Sequence, residues 1–220
     1  MRAIMPDIFS MKSPLTAVTG VVLAGGQSRR MKRDKAWIEV EGEPMLHRVL
    51  SVIRTVFSKI LIVGREKTPI PDIPVIPDLV PAKGPIGGIY TALHYLISGR
   101  SDGQRLIFPD RRPDPPLGIF VVACDMPYLR PEPMIQMTLA ARGYDVVLPR
   151  VGGRLHPLHA FYGLSCLDPL EEKIRRKDFT LYRLWPGARV LEIAESEYRK
   201  WDPDLQTLVN MNTPEDLAGS

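Results

Sequence analysis

Two stretches of this chain, residues 19–23 (Thr-Gly-Val-Val-Leu) and 118–123 (Gly-Ile-Phe-Val-Val-Ala), carry apolar side chains on both faces of an extended backbone. No other feature constrains the fold as tightly, because a strand apolar on both faces belongs at the centre of a parallel sheet that is covered above and below. Residues 59–63, 74–77, 145–151 and 190–194 read as further strands, and 154–162 as another that Pro157 interrupts. Helical spacing marks 43–58 (Met45, Leu46, Val49, Leu50, Val52, Ile53, Val56, Phe57), with Pro44 suited to its first turn. An apolar helix follows Gly84-Pro85-Ile86-Gly87-Gly88 through residue 97, and 131–142, 167–176 and a short 181–185 are also read as helical. Thr213-Pro214-Glu215-Asp216 supplies an N-cap, a first-turn proline and first-turn acids for a last helix. Strands alternating with helices place the chain in the α/β class.

The first of the two buried strands leads directly into a chemical signal. After Leu23 and Ala24 the chain breaks at Gly25 and Gly26, then places Arg29, Arg30, Lys32, Arg33 and Lys35 within a few residues. A basic run alone is most simply a solvated face. Cations that follow a buried strand and a Gly-Gly turn instead sit at the ligand edge of an open α/β sheet, where glycine lets the backbone approach an anion and its N–H groups face it. The second buried strand ends in Cys124-Asp125-Met126-Pro127. Asp125 has the reading of a turn cap, but opposite the glycine loop it is also a carboxylate for Mg²⁺, which takes one or two carboxylates and phosphate oxygens. His156 and His159 are not read as a metal pair, because Pro157 between them opposes the helix their spacing needs. His156 is a candidate substrate contact and His159 a structural residue. No Walker-type or Gly-x-Gly-x-x-Gly fingerprint occurs.

Length and charge bound the rest. A chain of 220 residues suits one domain, spanning 18–220, with 1–17 as an N-terminal extension and Met11 as an alternative start. Residues 98–117, rich in glycine, proline and arginine, read as an exposed inserted loop. A net charge of +4, with no long basic tract, favours small anions over a polynucleotide, so nucleic acid is not an expected partner. The two cysteines, Cys124 and Cys166, show no ligand spacing, no apolar signal core begins the chain, and no run is long enough to span a membrane. A cytoplasmic protein is expected.

The pattern Leu23-Ala24-Gly25-Gly26-x-Ser28-x-Arg30-Met31-x-x-Asp34-Lys35-Ala36 resembles the signature of the molybdenum cofactor guanylyltransferases, the MobA family. Pro77-Asp78, Gly84-Pro85-Ile86-Gly87-Gly88, Cys124-Asp125-Met126-Pro127, His156-Pro157 and Asn210-Met211-Asn212-Thr213-Pro214-Glu215-Asp216-Leu217 follow in the family's order, so the resemblance covers nearly the whole chain. It implies a three-layer, Rossmann-like nucleotidyltransferase fold with a mostly parallel central sheet. It further implies transfer of GMP from GTP to the phosphate of molybdopterin or the molybdenum cofactor, with Mg²⁺ as cofactor and pyrophosphate as second product. By the same resemblance Leu23, Ala24, Gly25 and Gly26 meet the nucleotide, Arg30 and Lys35 hold its phosphates, Asp78 lies in the nucleotide site, and Asp125 binds nucleotide and metal. His156, Asn210 and Asn212 fall on the pterin side or in the metal's surroundings. Cofactor-inserting or acceptor enzymes are implied partners.

Two positions depart from the family pattern. Lys32 stands where the family has glycine, and Ile62-Val63-Gly64 stands where some members end the second strand in asparagine. The competing readings are a cytidylyltransferase of the same cofactor, a guanylyltransferase acting on a sugar phosphate, and a cofactor-binding carrier without turnover. The cytidylyl relatives read Leu-Ala-Ala-Gly where this chain has Leu23-Ala24-Gly25-Gly26.

Overall fold

The computed structural model describes residues 14–25, 34–65, 70–101, 104–105 and 116–211. A 3-10 turn, Pro14–Ala17, leads into β1 (Val18–Leu23). A small hairpin of β2 (Glu39–Val40) and β3 (Glu43–Pro44) precedes α1 (Met45–Val56), β4 (Ile60–Val63), β5 (Val75–Ile76) and α2 (Pro85–Ser98). A second hairpin, β6 (Arg100–Ser101) with β7 (Gln104–Arg105), is followed by β8 (Gly118–Ala123) and α3 (Pro131–Leu139). The chain continues through β9 (Val146–Val151), β10 (Arg154–Leu155), β11 (His159–Gly163), α4 (Leu167–Arg175), β12 (Val190–Ala194) and α5 (Glu195–Tyr198).

The central sheet runs β10-β9-β11-β8-β1-β4-β5, with β12 on β9. Among the described strands of this sheet, β5, β4, β1, β8, β9 and β12 point one way and β10 and β11 the other, so the sheet is mostly parallel. Alternation along the two central strands builds two cores. Val18 and Val22 of β1 and Phe120 and Val122 of β8 face α1 and α3, meeting Leu46, Val49, Ile53, Met134 and Met137. Val21, Leu23, Ile119 and Val121 face α2 and α4, meeting Ile86, Ile89, Leu93 and Leu170. This is the three-layer α/β arrangement expected from strands apolar on both faces. Each such side chain contributes about 1.5–3 kcal/mol relative to leaving it exposed.

Local chemistry moves several boundaries. Pro44 closes the β2–β3 hairpin and serves as N-cap of α1, where the sequence pattern puts it inside the first helical turn. The hairpin turns on Glu41 and Gly42, both at positive φ (51° and 81°), the signature of a two-residue turn that matches strand twist. The expected helix at 181–185 is absent. Lys173, buried on α4, donates to Asp178 Oδ2 (2.5 Å) and to the Arg183 carbonyl (3.0 Å), tying this segment to α4. Pro186 then disfavours helical geometry at residue 185. Far from the ligand edge, Asp145 anchors the start of β9: its carboxylate accepts from Ser165 Oγ (2.7 Å), Arg189 N (2.8 Å) and Arg189 Nη2 (2.9 Å). Those partners, the Arg189 guanidinium foremost, hold its pKa well below the usual carboxylate range.

His159 is fully buried on β11, edge-on to Phe120 (5.1 Å) and Tyr198 (6.0 Å), and neither ring nitrogen has a hydrogen-bond partner among the described residues. Burial lowers its pKa from 6.5 to about 3. The folded chain therefore keeps this ring neutral while the unfolded chain protonates it, so stability is lost as pH falls from 6.5 towards 3. Urea unfolding at pH 7 and pH 5 should show His159 contributing a loss of about 2 kcal/mol. His159→Phe should flatten the slope by that amount, and an unchanged slope would contradict this placement of the imidazole.

Candidate active site

β1 and β8 pair in parallel register from Val18↔Gly118 to Leu23↔Ala123, and the ladder continues with Cys124 N donating to Leu23 O (3.0 Å). Gly25 and Asp125 therefore leave the sheet at the same carboxyl edge. On β1's other side Ala24 N donates to Val63 O (2.9 Å), joining the edge to β4. Gly64 follows there with φ of 97°, in the left-handed region, and a Cβ on it would lie 2.5 Å from Gly25 Cα. A Cβ on Gly25 would lie 2.9 Å from Gly64 Cα, so the two loops cross only because both residues are glycine.

Lys35 returns to this edge on a 3-10 turn, Lys35–Trp37. The turn is held from below by Ala36, which is fully buried in the α1-side core, and from the side by Trp37 packed edge-on to His47 (5.8 Å). Its N-cap is Asp34, whose Oδ1 accepts from Ala36 N (3.2 Å). Lys35 Nζ reaches Asp125 Oδ2 at 3.3 Å, and the two side chains are only 20% and 18% exposed. Asp125 Oδ1 is buried without a hydrogen-bond partner among the described residues. The Asp125 carbonyl accepts from Met211 N (2.9 Å), and Met211 is buried with Val40 and Met45. This plug carries Asn210 to the same edge.

Arg65, next after Gly64, forms a two-pronged pair with Asp34: Nη1 donates to Oδ2 at 2.5 Å and Nη2 to Oδ1. Hydrogen bonding to Arg65 lowers the Asp34 pKa. Asp78 follows β5, where Oδ1 accepts from Val80 N (2.9 Å) and Thr91 Oγ1 (3.1 Å), so part of its work is to fix the turn entering α2. Gly87 makes that possible, since a Cβ there would lie 2.9 Å from Asp78 Oδ2. A cavity of about 500 Å³ opens beside Met126 and is lined by Arg154, His156, Phe179, Tyr182 and Asn210. His156 is half-buried there, and burial lowers its pKa, favouring the neutral ring. Cys124 is buried, and its thiol is pushed up to about 12 by burial and by Asp125, so it packs and does not react.

The structure thus brings Leu23, Ala24, Gly25, Lys35 and Asp125 together, with Asp78 along the same edge and His156 and Asn210 on the adjoining cavity. Gly26, Arg30, Lys32 and Asn212 lie outside the described residues. No cluster of three or more His, Cys, Asp or Glu that could hold a metal occurs among the described residues. A lone carboxylate with one unpartnered oxygen fits a hard cation that takes its remaining ligands from phosphate and water, and does not fit an all-protein cage.

A sequence model of the MobA-like NTP transferase domain matches residues 20–186. The chain belongs to the MobA-like NTP transferase family. Among relatives, the "Probable molybdenum cofactor guanylyltransferase" of Pelotomaculum thermopropionicum is 37% identical over 202 residues, covering 91% of this chain and 90% of its own. The molybdenum cofactor guanylyltransferase of Desulfosudis oleivorans is 30% identical over 92% of this chain and 94% of its own. The crystal structure of molybdopterin-guanine dinucleotide biosynthesis protein A from Archaeoglobus fulgidus superposes with a TM-score of 0.73 at 24% identity, covering 92% and 96% of the two chains, a likeness of fold.

In this MobA-like chain, reasoning from sequence misses Arg65. The available signal is a cation directly after a glycine at the carboxyl end of a buried strand, the same pattern that picks out the cluster after Gly25 and Gly26. Met211 falls inside a recognised motif, but nothing in the sequence marks it as the plug that seats Asp125. Gly64→Ala should lower stability by about 2 kcal/mol, through strain at positive φ and the clash with Gly25. Thermal unfolding of the variant checks this, and a melting temperature equal to the wild type's would contradict the crossing of the two loops.

Proposed function

We propose that this nucleotidyltransferase transfers GMP from GTP to the terminal phosphate of molybdopterin, alone or carrying molybdenum, and releases pyrophosphate. The observation that carries the reading is the Lys35–Asp125 pair at the joined ends of β1 and β8, next to a cavity lined by His156 and Asn210. The relatives' names, molybdenum cofactor guanylyltransferase, support a guanylyl group and the molybdenum cofactor as the two parts joined.

The nucleotide lies along the carboxyl edge. Three strand spacings separate β8 from β5, about 14 Å, which leaves room for a nucleoside between Asp78 and phosphates held at Lys35. Leu23 O and Ala24 N already belong to the sheet ladder, so the backbone groups that meet the nucleotide begin at Gly25 and Gly26. Lys35 and Arg30 neutralise the β- and γ-phosphates and stabilise the charge that grows on departing pyrophosphate. A molybdopterin phosphate oxygen, held in line by the cavity at His156 and Asn210, bonds to the α-phosphorus as the bond to the bridging oxygen of the β-phosphate breaks. That nucleophile is ionised at neutral pH, so the chain needs no general base and its work is positioning and charge compensation. A divalent cation, Mg²⁺ in this reading, would be held by Asp125 through Oδ1 and would supply further neutralisation at the α-phosphoryl group.

Gly25 does not by itself speak for guanine. Its contact with Gly64 already excludes a side chain, whichever base is bound. Base choice is therefore tested directly, by offering GTP, CTP and ATP with Mg²⁺ and molybdopterin and measuring pyrophosphate. GTP should be used at least tenfold faster than the others, and equal use of CTP would overturn the guanine assignment. Lys35→Ala should slow release by two or more orders of magnitude, the loss of about 3 kcal/mol of preorganised charge stabilisation. Asp125→Ala should abolish the metal-dependent reaction, and wild-type turnover by either variant would sink the role of the residue replaced.

A further inference from the structure

We propose that Arg65 and Asp34 are positioning residues: the pair fixes the turn that presents Lys35 to Asp125. The kinetic part of this proposal rests on the guanylyl-transfer reading, and the geometric part does not. An ion pair with one partner this exposed is a weak stability device; Asp34 is 46% exposed. Its geometry is nevertheless specific. Both terminal nitrogens of Arg65 engage both carboxylate oxygens, the two-pronged arrangement that fixes orientation as well as distance. The Arg65 side chain is only 15% exposed, at the end of β4, where the Gly25–Gly64 crossing ties it to β1.

Asp34 Oδ1 also accepts from Ala36 N and so caps the turn that begins at Lys35. One carboxylate therefore links the rigid end of β4 to the backbone that aims Lys35. A lysine side chain is long and freely rotating, so the placement of its backbone decides where the ammonium spends its time. The alternative, Arg65 as a direct nucleotide ligand, is disfavoured because both of its terminal nitrogens are engaged by Asp34 and its side chain is only 15% exposed.

The test uses the full chain with lysines labelled with ¹³C at Cε. The Lys35 resonance is identified by its loss in Lys35→Arg, and Asp125→Asn marks its position without the carboxylate. Arg65→Ala should move that resonance towards the Asp125→Asn position. So should Arg65→Lys, which keeps the charge but not the fork and covers the case where the alanine variant folds poorly. Asp34→Asn, which keeps an acceptor for Ala36 N–H but gives up the charge, should do the same. Each should lower kcat for pyrophosphate release about 10- to 100-fold with a smaller change in KM for GTP. On a Lys35→Ala background Arg65→Ala should add no further loss, because its effect runs through Lys35. An unmoved Lys35 resonance, a full second loss in the double variant, or a raised KM with unchanged kcat would each overturn the proposal. A wild-type chain that releases no pyrophosphate overturns the guanylyl-transfer reading instead, and the resonance then decides the positioning claim alone.

Discussion

Parallel pairing of β1 with β8 in one register is the constraint on which the candidate site depends. Both strands are buried on both faces, so a slip of one residue would carry every apolar side chain to the wrong core, towards the wrong pair of helices. With the register fixed by burial, the two chains must leave the sheet level with one another. Gly25 and Asp125 are therefore neighbours at the carboxyl edge because of packing many residues below them. The hydrophobic core supplies the precision, and the polar residues at the edge inherit it.

Above that edge a few polar contacts do what the core cannot. Lys35 and Asp125 share a half-enclosed position in which each compensates the other's charge, so neither is left unpaired while partly removed from water. In the proposed reaction this arrangement would keep a cation and a carboxylate ready where the phosphates react. Around them, the Gly25–Gly64 crossing, the Arg65–Asp34 fork and the Met211 plug fix three chain segments that are far apart in sequence. Each has a side chain or a missing side chain that determines the local path.

How much of this is legible without coordinates depends on the range of the interaction. The buried strands, most of the helices and the meeting of Gly25 and Asp125 at one sheet edge follow from local periodicity and from the rule that ligands sit at strand carboxyl ends. The β2–β3 hairpin is not legible, because Glu41 takes a positive φ that short-range propensity assigns to Asn or Gly. The helix expected at 181–185 is absent: Pro186 disfavours helical geometry at residue 185, and Lys173, from another element, ties the segment down at the Arg183 carbonyl. Asp78 reads as a nucleotide contact in the sequence, yet its ties to Val80 and Thr91 depend on α2 folding back against β5. Arg65's place after a glycine at a strand end is legible, but its tie to Asp34 is not, because the partner lies 31 residues away across a loop, a separation no periodicity records.

The central claim is that GTP phosphates lie against Lys35 with a divalent cation held at Asp125 Oδ1, the oxygen that has no partner among the described residues. It is tested most directly by a crystal structure of the chain with a non-hydrolysable GTP analogue and Mn²⁺ in place of Mg²⁺, using the anomalous signal of the manganese. A single strong peak is expected about 2.1 Å from Asp125 Oδ1, with the triphosphate against Lys35 and the base towards Asp78. A peak bound elsewhere, or a triphosphate away from the carboxyl edge of β1 and β8, would contradict the claim.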